Sequence, residues 1–338
     1  MTEHAFPADI HALAFAARAV GVPLDCTEVA ETLGIPFLIV GSEEWLDRAV
    51  ISLYPRMRTV IPESLVIFRR ELYQRLRVRG VDVRTEWCAD VDSIPTYLLE
   101  LPSASVVWMC LNASDDRIPL FVAAGDDWVD ATVPDERWQT TLANMHAPNG
   151  FIWIAVARCS PERVTSITEE MRWACGLLQS QHIWRFPTPT HPLRLWQSWH
   201  VGASALEVIA LAAHDAAPLS IVSDTVAAVF HHFHARAYHA QKIVHRWNNS
   251  TTISVDPSAG HALESAYADV LYLFNILTQQ FPHNAPVRAL TRAEGALLSE
   301  VCRDARLVYK EIIEILSLMG GVENVVGRPG FEPGTKSL

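Results

Sequence analysis

The stretch IPLFVAAGDDWVDATV, residues 118–133, decides how the first half of this chain is read. A short apolar run, a Gly-Asp-Asp turn signal and a second run alternating apolar with polar residues spell a β-hairpin. Residues 81–87 (VDVRTEW) alternate in the same way, while 105–112 (SVVWMCLN) and 151–157 (FIWIAVA) are short apolar runs. Turn signals at Asp115-Asp116 and Asn149-Gly150 punctuate the set. Loops this short cannot make parallel crossovers, so the spacing predicts an antiparallel meander.

Upstream, the period is helical. Asp9 is placed to cap a helix over residues 10–20, in which Ile10, Leu13, Ala14, Ala17 and Val20 share a face and Gly21 supplies the left-handed stop. Asp25 with Glu28 forms a capping-box pattern for a second helix that ends at Gly34, before the apolar run 36–40. Ser42 and Pro55 bracket a third helix, and a fourth runs from Pro62 through Leu76 to Gly80. Downstream of Ser160-Pro161 the strand signal gives way to helices over 161–180, 193–213, 219–247, 257–281 and 287–319. FPTPTHP and Asp256-Pro257 separate them. The expected class is α+β: an antiparallel-sheet domain over residues 1–159, an all-α helical bundle over 160–322, and a disordered tail, 323–338, with no assigned function.

Of 338 residues, half are hydrophobic and 19% charged, enough apolar material for a substantial core. The net charge of −11 argues against nucleic acid and anionic membranes as partners, since phosphate contacts need a local excess of Lys and Arg. The N-terminus carries Glu3 and Asp9 and no basic segment followed by an apolar run, so a cytoplasmic, soluble protein is expected. The six cysteines lie at least sixteen residues apart, which excludes CxxC zinc and redox motifs and favours reduced, packed thiols.

Histidine is the conspicuous residue. Nine of fourteen lie between His191 and His261, five of them in HHFHARAYHAQKIVH, residues 231–245. Only His231 and His234, at i and i+3, have a spacing there that suits one metal ion, and neither an ExxH nor an HExxH companion accompanies them. Half-buried bundle histidines are the plainer reading, and no cofactor is expected. Asp115-Asp116 and Asp126-Asp127 fall where turns favour Asp. GxGxxG, GxxxxGK[ST] and GxSxG are all absent, which removes the usual sequence support for dinucleotide binding, P-loop hydrolysis and an α/β-hydrolase elbow. Leu195, Trp196, Trp199 and His200 form an aromatic stripe that reads as interhelical core.

The segment HALAFAARAVGVPLDCTEVAETLG, residues 11–34, and the segment IPLFVAAGDDWVDATVPD, residues 118–135, together resemble papain-like domains of bacteriocin-processing peptidases. They also resemble those of butirosin-biosynthesis acyltransferases, whose chains continue into a helical domain. The resemblance implies a helix bearing a nucleophilic Cys and a strand opening with the catalytic His. Counting back from Gly21 puts Ala8 at the nucleophile, and counting back from Gly125 puts Pro119 at the base; the acid position reads Val133-Pro134. Covalent acyl transfer needs a thiolate with a neighbouring imidazole, which neither position supplies. His11, one turn after Ala8, has no thiol beside it, and Cys26 lies past the helix stop. Two functions follow as expectations. One is a non-catalytic scaffold that binds a small molecule, a peptide, an acyl-carrier-linked group or a protein in the degenerate cleft, with Ala8, His11 and Pro119 on its floor. The other is an acyl-transfer or metal-dependent enzyme using His200, His231 or His234.

Overall fold

A computed structural model of the chain describes residues 8–41, 70–88, 105–110, 120–124, 127–130, 151–162, 166–180, 183–187, 196–215, 223–250, 256–282 and 286–321. The expected helix over 42–55, the turns at Asp115-Asp116 and Asn149-Gly150, and the expected tail from 323 lie outside these residues. The described part is helix-rich with antiparallel sheet, an α+β arrangement at that level.

Helix α1 (Ala8–Ala19) starts a residue before Asp9, so that aspartate lies inside the first turn. Ile10, Leu13, Ala14 and Ala17 are buried, as the helical spacing requires. Helix α2 (Cys26–Leu33) carries the expected capping box: the Glu28 amide donates to Asp25 Oδ1 at 2.7 Å and the Asp25 amide to Glu28 Oε2 at 3.0 Å. Gly34, in the left-handed region, turns the chain into a 3-10 turn (Ile35–Phe37) and then strand β1 (Val40–Gly41). Helix α3 (Arg70–Gln74) runs into a second 3-10 turn (Arg75–Arg79) that stops at left-handed Gly80.

Strands β2 (Val81–Cys88), β3 (Ser105–Cys110), β4 (Leu120–Ala124), β5 (Asp127–Asp130) and β6 (Phe151–Arg158) form one sheet, entirely antiparallel, in the order β2-β6-β3-β4-β5. The expected strands are present, but the meander holds only for β3-β4-β5. Strand β6 inserts between β2 and β3, pairing Val83 with Val156 on one side and Val107 with Ile154 on the other. The sixteen-odd residues between β2 and β3 leave room for that insertion, which a tight hairpin would forbid. Helix α1 packs across β3, β4 and β6.

The predicted helix over 193–213 is a correction. Its first part is strand β8 (Trp196–Val201), paired with β7 (Ile183–Pro187) on one side and with β1 on the other, giving a second antiparallel sheet. Gly202, at φ +82°, ends the strand, and only then does helix α5 (Ser204–Asp215) begin. The expected start at Ser160-Pro161 also moves: the cap of α4 (Ile167–Gln179) is Ser166, whose hydroxyl and amide pair reciprocally with Glu169. Helices α6 (Ser223–Asn248), α7 (Pro257–Gln280) and α8 (Arg292–Met319) fall within a few residues of expectation.

Helix α7 packs between α6 and α8, and α8 packs on α4 and α5. The buried apolar side chains form one connected core from Ile10 to Leu316. Leu38 joins the halves directly, because the buried Arg236 on α6 donates from Nη1 to its carbonyl at 2.9 Å.

The start of α8 carries an acid-sensitive latch. Glu294, at the third helical position behind the Thr291 cap, accepts from both Nη groups of Arg288 and from the Thr291 amide and hydroxyl. Those bonds, led by Arg288, hold its carboxyl well below the ordinary carboxylate range. A carboxyl depressed in the folded state contributes stability above its unfolded pKa, and that contribution is lost as pH falls toward the folded value. Glu294→Gln is therefore expected to lower the urea midpoint at about pH 7, with the gap to the native protein narrowing from about pH 4.5 to pH 3. A gap independent of pH would show that the charge contributes nothing.

Candidate functional site

Four separate segments meet around a cleft of about 380 Å³: the end of α2 with the following 3-10 turn, the turn Arg75–Arg79, the first half of α4, and the last turns of α6. That volume is at the small end of the range for ligand sites. Trp173 on α4 forms a central wall. Its indole N–H donates to the Leu33 carbonyl at 3.2 Å, and it lies so close to Gly34 that an ideal Cβ there would stand 2.5 Å from Nε1. The Arg75 guanidinium lies over its ring at 4.5 Å, while Arg75 Nε donates to the Thr32 carbonyl at 3.0 Å. On the opposite side Trp247 stacks on Phe37, with ring centroids 5.6 Å apart and planes within 6°, and its N–H donates to Glu170 Oε2 at 3.0 Å. Arg246 pairs with Glu31 at 2.7 Å.

The wall thus carries three guanidinium groups and two carboxylates, with each carboxylate already accepting from a neighbour. Burial pushes the Arg75 pKa down, and the nearby Glu170 and Glu169 oppose that shift. Among the described residues no Cys, His or Asp lines the cleft. The arrangement suits recognition by aromatic surface and fixed donors, and among the described residues it holds no nucleophile–base pair.

Of the residues singled out in the sequence, Ala8 is the first residue of α1 and His11 lies one turn on; the side chains of both lie outside the described set, and Pro119 lies outside it altogether. His200 sits on β8 opposite Gly41 and Ile183, half-buried. His231 and His234 occupy α6 as half-buried side chains, and burial pushes the His234 imidazole pKa down, favouring the neutral ring. Among the described residues no group of three or more His, Cys, Asp or Glu is placed to hold a metal ion. Cys26 opens α2, half-buried. Burial pushes up the thiols of Cys159, Cys175 and Cys302, which keeps them protonated.

The residues that build the cleft carry no motif. One unused signal in the sequence lies beside them: Arg69, Arg70, Arg75, Arg77 and Arg79 concentrate basic charge in an acidic chain, and two of the five, Arg75 and Arg79, line the cleft. No family model and no curated protein matches the sequence.

Proposed function

We propose that this chain is a binding protein and not an enzyme: a papain-like scaffold without its nucleophile and base, joined to helices that complete a ligand cleft. The cleft beside Trp173 and Trp247 carries the reading, because it offers aromatic surface and guanidinium donors and, among the described residues, no group arranged for nucleophilic or acid–base work. The papain-like part is supported by the layering of α1 across β3, β4 and β6, which brings Ala8 and His11 onto a helix facing that sheet. The protonated state of the buried thiols is consistent with it. The ligand class is a small molecule, a short peptide or an acyl group on a carrier arm. Among the described residues no helix is long and apolar enough to cross a membrane.

The test pairs intact-mass spectrometry with thermal shift. After incubation with acyl-N-acetylcysteamine thioesters, the protein is expected to keep its mass and to hydrolyse them no faster than buffer. In a panel of acidic small molecules, short peptides and acyl-pantetheine compounds, at least one class is expected to raise the melting temperature. A covalent adduct, or turnover lost in the His231→Ala/His234→Ala variant, overturns the reading in favour of an enzyme. A panel without any shift overturns binding itself.

A further inference from the structure

Within the turn Arg75–Arg79 the three arginines are used differently. Arg77 points to the outside, where Nε meets Asp82 at 3.1 Å and Nη1 meets Glu162 at 3.3 Å. Arg75 and Arg79 line the cleft. Among the described residues neither makes a salt bridge, and Arg75 spends only its Nε, on the Thr32 carbonyl. The contact with the Trp173 ring and the Nε bond to Thr32 together hold the Arg75 guanidinium in place while leaving its two Nη groups free to donate. A guanidinium held this way has already lost its rotamer freedom, so an incoming acceptor need not order it. Of the facing carboxylates, Glu31 is taken by Arg246, while Glu170, which accepts from the Trp247 indole, and Glu169 lie near enough to favour the charged guanidinium of Arg75, so an incoming anion competes with them. With three arginines against two glutamates, the lining is positive by one charge in a chain whose net charge is −11.

We propose that Arg75 and Arg79 form an oxyanion subsite of this cleft, which takes a carboxylate or phosphate group of the ligand while the apolar remainder lies against the Trp173 and Ile243 walls. Planar, fork-shaped donors suit both oxyanions, as bidentate partners of a carboxylate or of two phosphate oxygens. The inference rests on the binding reading and specifies the polar end of what is bound.

The experiment follows the arginine Nε–Hε signals of the full-length protein by nuclear magnetic resonance, with the Arg75 signal assigned from its absence in Arg75→Lys. Acetate, succinate, inorganic phosphate and pyrophosphate are titrated at constant ionic strength against chloride. The expected result is a saturable shift of the Arg75 signal with at least one of these anions. Arg79→Gln is expected to raise the half-saturation concentration about tenfold, and Arg77→Gln, which removes the same charge from the same turn, is expected to leave it within about twofold. Saturation by acetate and succinate alone assigns a carboxylate; saturation by phosphate and pyrophosphate alone assigns a phosphate. Shifts that chloride reproduces, or an equal loss in Arg77→Gln and Arg79→Gln, overturn the subsite. Should Arg79→Gln fail to fold, the native protein's own response to the four anions decides. A neutral compound that raises the melting temperature while no anion moves Arg75 would remove the subsite and leave the binding reading standing.

Discussion

Gly202→Ala is expected to destabilise the protein by about 2–5 kcal/mol, a large fraction of an ordinary total stability. Two penalties add. At φ +82° any residue with a Cβ sits in the left-handed region, at a cost of about 1–2 kcal/mol. The added methyl would also stand 2.5 Å from the Leu178 carbonyl oxygen, 2.7 Å from that of Ser180 and 2.9 Å from that of Leu177. All three are backbone atoms at the end of α4, so relief requires the helix end to move; overpacking of that kind costs about 1–3 kcal/mol. Gly176, in the body of the same helix, has open space where its Cβ would be, and Gly176→Ala is expected to stabilise by about 0.5–1 kcal/mol. Urea titrations of the two variants check both signs. A Gly202→Ala loss under about 1 kcal/mol would mean that the α4–β8 junction yields freely.

Phe274→Ala should cost about 3–5 kcal/mol by a different route, the opening of a cavity. Phe274 is fully buried on α7, and its ring centroid lies 5.7 Å from Phe230, 5.8 Å from Phe233 and 6.4 Å from Tyr309. It is the ring through which α6 and α8 touch a common neighbour. Tyr272, two residues earlier on the same helix, is 68% exposed, and Tyr272→Ala is expected to change stability by no more than about 0.5 kcal/mol. Equilibrium unfolding followed by circular dichroism separates them, and a Phe274→Ala loss below about 1.5 kcal/mol would show that the three helices collapse to refill the space.

The helices around these sites were legible because their ends are chemically marked. The Asp25–Glu28 box, Pro257 after Asp256, and the glycine stops at 21, 34 and 80 all sit where the pattern puts them. The strands of the larger sheet were legible as segments, but their order was not. Loop length excludes certain connections without saying which strand fills a gap, so the entry of β6 between β2 and β3 had no local mark. Residues 196–201 misled for another reason: WQSWHV is short enough that two tryptophans three apart fit a helical stripe as well as a strand. Only pairing with Ile183–Pro187 and Val40–Gly41 settles it. The cleft was the least legible feature. Its parts come from four segments between residues 31 and 250, and Trp173, Trp247 and Glu170 look like ordinary helix residues until the fold places them together. The cluster of arginines before Gly80 was the one usable hint, because an acidic chain has no compositional reason to gather them.

Strand β1 imposes a schedule on the living chain. Val40 and Gly41 find their partners at Val201 and His200, about 160 residues later, and the Leu38 carbonyl waits for Arg236. At ribosomal speeds of about 5–20 residues per second, the apolar run from Ile35 to Val40 spends roughly 8–32 s in the cell before its partner strand has been synthesised. Contacts that distant in sequence also close slowly once both ends exist. The nascent protein therefore passes through a period in which a sticky edge is uncovered, and that interval is where holding chaperones would act on it and where a translational pause would be harmful.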